Sequence, residues 1–313
     1  MRRASLAALI LVAACSPAET STSTTPGVTT SLGPTSTTDG VTTTQAATST
    51  TTPPTSTTPA PSTTLLGGDW ADEPLIATDF GALGWWDGSD WARADEFGAL
   101  PVAGGEDYQV ASVVGAGIVV GGPQELLCEP LDILGVQFGD DADELGEWPG
   151  PYGVAISAGW DIQPHLFEMI APGLDHGGYA RDLLAARGLA VDDPVIKQVI
   201  RTDLEGDGIN EVLVVAQDIE GAYLPNEGDY SIAFLRKVVG GGVETAILGE
   251  SVMTDDGDFP TGFSIGAVAD LNGDGKMEIV VSAAYYEGLG VEVWEYLDDD
   301  IGPTPVLSVG CGS

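Results

Sequence analysis

Apolar positions along this chain fall into short runs of β type, separated by glycine, proline and acidic turns. Leu75 to Thr78, Val110 to Val120, Ile133 to Phe138 and Val154 to Ser157 each predict a strand. Val212 to Val215 and Ile279 to Val281 are β-branched and apolar throughout, the pattern of a buried strand. Tyr230 to Val238 and Val243 to Leu248 flank Gly240-Gly241-Gly242, which predicts a hairpin. Val291 to Tyr296 and Thr304 to Val309, on either side of Leu297 to Gly302, predict a second one. Asp87-Gly88-Ser89 between Trp86 and Trp91 reads as a tight turn. One helix is predicted, from Gly178 to Ala186, with Leu183 and Leu184 inward and Gly188 just past Arg187 at its end. The fold class is therefore mainly β, with one short helix before the repeated strands of residues 195–313.

Two segments at the start break this pattern. Arg2 and Arg3 precede an apolar run from Ala4 to Ala14 that stops at Cys15. That is the layout of an export signal. Eleven residues of helix reach only about 16 Å, too little for a bilayer core of roughly 30 Å. Val12-Ala13-Ala14-Cys15 resembles a bacterial lipobox. The resemblance implies cleavage before Cys15, diacylglycerol on its thiol, and anchoring at the outer face of the cytoplasmic membrane. The alternative is an ordinary signal peptide with a chance cysteine. Residues 16–66 hold 29 Ser or Thr among 51, with Glu19 and Asp39 the only charges. Such a segment buries too little apolar surface to offset its ordering entropy, so it reads as a disordered tether of about 40 Å. The expected divisions are a signal at 1–14, a tether at 15–66, a β-rich part at 67–194 and a repeat region at 195–313.

Charge narrows the partners. The chain carries 48 Asp and Glu against 10 Lys and Arg, a net of −38. Removing Arg2, Arg3, Glu19 and Asp39 leaves 8 basic and 46 acidic residues for the folded part. That surface repels nucleic acid and anionic lipid, so membrane attachment must come from the lipid on Cys15. Solubility or a salty habitat accounts for much of the acidity; cation binding needs local spacing to support it. With Cys15 lipidated, Cys128 and Cys311 remain as an even pair in an oxidising compartment, which predicts a disulfide. Two buried free thiols are the alternative.

That local spacing exists. Val199 to Val215 aligns with Gly266 to Val281 at a period of 67 residues. The shared core is Asp203-Leu-Glu205-Gly-Asp207-Gly-Ile209-Asn-Glu211 and Asp270-Leu-Asn272-Gly-Asp274-Gly-Lys276-Met-Glu278. A hard cation such as calcium takes six to eight oxygens at about 2.4 Å. Positions one, three and five offer Asp203, Glu205 and Asp207, then Asp270, Asn272 and Asp274. Position seven, Ile209 or Lys276, offers a backbone carbonyl, and position nine another carboxylate, Glu211 or Glu278. Gly206, Gly208, Gly273 and Gly275 permit the positive φ of a sharp turn. Position twelve is Val214 or Val281 rather than the bidentate Glu of an EF-hand, and a strand follows instead of a helix. The expectation is two structural calcium sites, each joining two strands.

A motif of this form followed by a strand resembles the FG-GAP and VCBS repeats of integrin-like β-propellers. The resemblance covers about 195–311, roughly a third of the chain. It implies four-stranded β-meanders like propeller blades, with a structural calcium ion in each loop. Glu205 is longer than the Asp or Asn usual at its place, Glu stands at position nine where Asp is commoner, and the Phe-Gly-Gly-Ala-Pro signature is absent. Residues 67–194 carry no copy of the loop, though two blade-like units fit their length. The chain is too short for seven blades of 60 residues, which leaves a small or incomplete propeller, or a β-domain packed on the repeat pair.

Six of the seven tryptophans, Trp70, Trp85, Trp86, Trp91, Trp148 and Trp160, precede the repeats. They read as core and turn packing, with sugar stacking by exposed rings as the sharper alternative. His165 and His176 read as turn residues, against a zinc or hydrolase site that would use both. No His-Glu-x-x-His, Gly-x-Ser-x-Gly or phosphate-binding loop occurs. Three functional readings stay open: a non-enzymatic envelope module that binds a glycan or protein, an accessory subunit of an envelope complex, and an exported hydrolase stapled by calcium. No catalytic residue is singled out.

Overall fold

The computed structural model describes residues 73–128, 131–139, 145–146, 151–220, 224–254, 259–296 and 302–312. The expected signal segment and tether, with Cys15, Trp70 and Trp148, lie outside the described residues. Three antiparallel sheets, one α-helix and a short 3-10 helix at Ala94–Glu96 make up the described part. None of its helices is long and apolar enough to cross a membrane.

The first sheet has seven strands: β1 (Leu75–Thr78), β2 (Gly81–Trp86), β3 (Trp91–Arg93), β4 (Asp107–Ala111), β5 (Ile118–Leu127), β6 (Ile133–Phe138) and β7 (Val154–Ile156). Their spatial order is β3-β2-β1-β7-β4-β5-β6. Most of the room left for two blade-like units is thus taken by this one sheet. The run Val110 to Val120, read as one strand, is also two strands of a hairpin. The Ser112 hydroxyl accepts from Val114 N–H, and Val110 N–H donates to Gly117 O, so the chain reverses inside an apolar stretch.

The second sheet holds β8 (Phe167–Met169), β9 (Ile196–Thr202), β10 (Glu211–Asp218), β11 (Tyr230–Val239) and β12 (Gly242–Val252), in the order β12-β11-β10-β9-β8. Helix α1 (Leu174–Ala186) lies between β8 and β9 in the chain. It starts four residues before Gly178, its predicted start. His176 Nδ1 accepts from Gly173 N–H at 2.9 Å and caps one of the helix's free amides. The third sheet is a four-stranded meander: β13 (Gly262–Ala269), β14 (Glu278–Tyr285), β15 (Gly288–Tyr296) and β16 (Pro303–Gly312). β9 to β12 form the same meander in the second sheet. These are the propeller-blade-like repeats the sequence pattern predicts.

The layers follow from which faces are apolar on both sides. Ala267, Ala269, Val280, Val291 and Val293 of the third sheet pack with Ile76, Leu83, Val154 and Ile156 of the first. On its other face, Ile265, Val268, Ile279 and Val281 meet Ile200, Leu213, Val215 and Leu235 of the second. The far face of the second sheet, with Val199, Val214, Ile232 and Phe234, is covered by Ala180 and Leu184 of the helix. β14 is therefore buried on both sides, which is why it reads as an unbroken apolar run. A bulge at Ile265/Ala267 keeps β13 in register while switching the face its side chains present.

Cys128 follows β5 and is disulfide-bonded to Cys311 on β16, with Cα atoms 5.7 Å apart. The bond ties the first sheet to the third across 183 residues of sequence.

Candidate metal centre

Both acidic loops sit where the first strand of a meander turns into the second, β9 into β10 and β13 into β14. Each opens with an aspartate whose carboxylate gathers the loop's own amides. Asp203 Oδ1 accepts from Gly206 and Asp207 N–H at 2.8 and 3.1 Å, and its Oδ2 accepts from Gly208 N–H at 2.8 Å. Asp270 does the same for Gly273 at 2.6 Å and Gly275 at 3.0 Å. Those amides can point inward because all four glycines have positive φ: +72° and +86° at Gly206 and Gly208, +79° and +86° at Gly273 and Gly275. At position five, Asp207 accepts from Ile209 N–H and Asp274 from Lys276 N–H, at 2.7 and 2.8 Å. At position nine, Glu211 and Glu278 reach back to accept from Leu204 and Leu271 N–H, at 2.9 and 2.7 Å. The repeat found in the sequence is thus a repeat of hydrogen bonds.

The loops lie side by side. Met277 N–H of the second donates to Leu204 O of the first at 2.8 Å. His165 stands between them: its Nε2 donates to Gly275 O at 3.1 Å, and a Cβ on Gly206 would fall 2.6 Å from that nitrogen. Trp160 covers the second loop, donating from Nε1 to Asp270 O at 3.1 Å and packing against Gly273. Gln109 pins this covering segment by donating to Ala158 O and Trp160 O, both at 2.7 Å. Sequence reasoning missed these roles. His165 lies far from either loop in sequence, and no local spacing marks it. His176 is occupied instead in capping the helix, so the two histidines serve separate structural tasks.

The electrostatics of the two loops differ. In the second, Asp270 and Glu278 are buried, at 3% and 1% exposure, and Asn272 nearly so. Burial pushes the Asp270 carboxyl up to about 6, against the pull of the Gly273 and Gly275 amides. Burial also holds Glu278 well above the ordinary carboxylate range, with the neighbouring charges of Asp270, Asp274 and Glu295 raising it further. Burial raises Glu295 as well. Among the described residues none of these four acids has an ion pair. In the first loop, burial raises Glu211 to about 7. Its neighbour Glu205 is ion-paired with Lys237, Oε2 to Nζ 2.7 Å.

Among the described residues no three His, Cys, Asp or Glu side chains are gathered at metal-holding spacing. The loop carboxylates are turned onto backbone amides instead. The donor set of the second loop still suits a hard divalent cation: it is all oxygen, with buried acids that repel one another and have no salt bridge among the described residues. Asp270, Asn272, Asp274 and Glu278, with the Lys276 carbonyl, are the groups that would hold it. The first loop offers Asp203, Glu205, Asp207, Glu211 and the Ile209 carbonyl, but Glu205 already has a cation.

Residues 261–291 match the FG-GAP repeat. That stretch takes in β13, the second acidic loop, β14 and the first turn into β15. No curated protein and no solved structure matches the chain. The matched stretch thus contains the loop whose buried acids have no salt bridge among the described residues.

Of the tryptophans considered for sugar stacking, Trp85 is buried and packs on Phe97, while Trp86 and Trp91 meet edge to face. An exposed aromatic pair lies elsewhere. Phe259 and Tyr286 stack at 5.4 Å beside the β14–β15 turn, each about half exposed.

Proposed function

We propose that this chain is an extracytoplasmic binding module of a cell envelope, anchored by lipid on Cys15 and stapled by calcium in its FG-GAP repeat. The observation that carries the reading is the match of residues 261–291 to that repeat, since FG-GAP repeats build β-modules used for binding and adhesion. The lipobox-like start and the Ser/Thr-rich tether support display away from a membrane. The buried acids Asp270 and Glu278, which have no salt bridge among the described residues, support calcium at the second loop. Millimolar extracellular calcium would keep even a weak site of this kind filled. The ion's task is structural: it removes the repulsion among the loop acids and fixes the turn between β13 and β14. The partner is an envelope glycan or protein. For a glycan, the exposed Phe259–Tyr286 pair offers an apolar face to a sugar ring.

The test is recovery of the full chain on cell-wall glycan and on cross-linked envelope protein, in calcium and in chelator. The expected result is calcium-dependent recovery on one of the two, at wild-type level in a Trp85→Phe control and, for glycan, at least tenfold weaker in Tyr286→Ala. Recovery on neither, or the same release from membranes for Cys15→Ser and wild type, would defeat the proposal.

A further inference from the structure

Lys237 is a buried, ion-paired cation at the first loop, whereas Lys276 in the second loop forms no salt bridge among the described residues. Lys237 lies on β11, the third strand of the first loop's meander, and its side chain is only 7% exposed. Its ammonium is 2.7 Å from Glu205 Oε2, and the Glu205 side chain is itself 16% exposed. The same ammonium lies 3.9 Å over the ring of Tyr296, at the end of β15 in the neighbouring repeat. Its charge also reaches Glu211, the ninth-position carboxylate, and pulls against the burial that raises it. A single buried cation thus faces two of the first loop's expected calcium donors.

The counterpart position shows the contrast. Sixty-seven residues on from Glu205 is Asn272, whose Oδ1 stays within its loop and accepts from Asp274 N–H at 2.9 Å. Glu205 has one more methylene than the Asp usual there, and it uses that reach to leave the loop for Lys237. A buried ammonium is costly unless paired, and this one is held by a carboxylate on one side and a π-face on the other. A divalent ion at the first loop would have to take Glu205 from Lys237 and then sit beside a buried positive charge. The folded part has only eight basic residues beyond Arg3. One of them is buried here.

We infer that the two loops neutralise their acids differently: the first with Lys237, the second with calcium, so that the chain binds one calcium ion. This rests on the calcium reading of the second loop. Lys237 is a structural replacement for the ion, and through Tyr296 it also joins the two repeats.

Calorimetry and mass spectrometry under native conditions on the chelator-stripped full chain decide it. The expected stoichiometry is one calcium per wild-type chain, none for Asp270→Asn with Asp274→Asn, and two for Lys237→Met. Asp203→Asn should leave the wild-type affinity within about twofold. Two ions in the wild type, or one ion that survives the Asp270/Asp274 changes and is lost in Asp203→Asn, would overturn the inference. So would a folded Lys237→Met that still takes one. Should Lys237→Met fail to fold, the wild-type count and Asp203→Asn decide alone. No ion in the wild type would remove the second-loop reading; a site appearing only in Lys237→Met would then still uphold the part assigned to the lysine, and none there would end it.

Discussion

Glu278 is an acid with two claims on it. Its Oε2 accepts from Leu271 N–H, which favours the charged form, while burial and three acidic neighbours oppose it, burial most of all. Asp270 is in the same position, with its carboxyl near 6. Without calcium both have folded-state values above their unfolded ones. Their contribution to stability is then fully present below the unfolded values, near pH 4, and is lost as pH rises through about 6 and beyond. For Asp270 a shift of that size corresponds to about 3 kcal/mol at most. Melting in chelator should therefore occur at a higher temperature at pH 5 than at pH 8. If the second loop holds calcium as proposed, calcium should raise the pH 8 value strongly and the pH 5 value little, because protons and the ion would compete for the same oxygens. Glu278→Gln should flatten the chelator profile. A wild-type profile in chelator that rises from pH 5 to pH 8 would contradict this account. The residue types and spacing of these loops were legible in the sequence, because each loop makes its contacts within nine residues. Lys237, His165 and Trp160 were not, since they reach the loops only through tertiary packing.

Strands whose faces differ, or that run apolar from end to end, could be read directly. Leu75 to Thr78 and Ile133 to Phe138 match β1 and β6 residue for residue, and the Trp86–Trp91 turn is closed by Asp87 as its composition suggests. The hairpin hidden in Val110 to Val120 was not legible, because its turn is made of Val113, Val114 and small residues, and its stabilising partner is remote. Val113 N–H donates to Gly266 O of β13 at 2.7 Å. At the same place β13 meets the chain before β7: a Cβ on Gly266 would fall 1.7 Å from Tyr152 O. Only glycine lets these two backbones approach. Gly266→Ala should thus separate the first and third sheets locally and cost about 3 kcal/mol, at the upper end for overpacking. Denaturant unfolding with unchanged slope and a lowered midpoint would show it. A loss under about 0.5 kcal/mol would mean the sheets shift past each other freely.

Across the molecule, two devices hold the third sheet at opposite ends. The acidic loop enters β14 at Glu278, which lies beside the pair Ile279↔Trp294. The disulfide leaves from Cys311, opposite Leu289, which in turn pairs with Ala284 near the far end of β14. About five residues of strand separate the two ends, roughly 17 Å. The sequence predicted the pairing of the cysteines from their number and compartment, but not that Cys311 sits on the last strand of a meander and that Cys128 directly follows β5 of another sheet. Closing a loop of 183 residues has an upper value of about 5 kcal/mol in the chain-entropy model. Cys128→Ser with Cys311→Ser should lower stability by up to that amount and leave the affinity of the proposed calcium site at the second loop unchanged. Perturbations this far apart, with no shared partner, add to within about 0.5 kcal/mol. A cycle of disulfide removal against calcium removal, read by denaturant midpoints, should therefore close with no interaction energy. A coupling above about 1 kcal/mol would mean instead that the meander unfolds as one unit once either end is freed, and that the second staple has nothing left to hold.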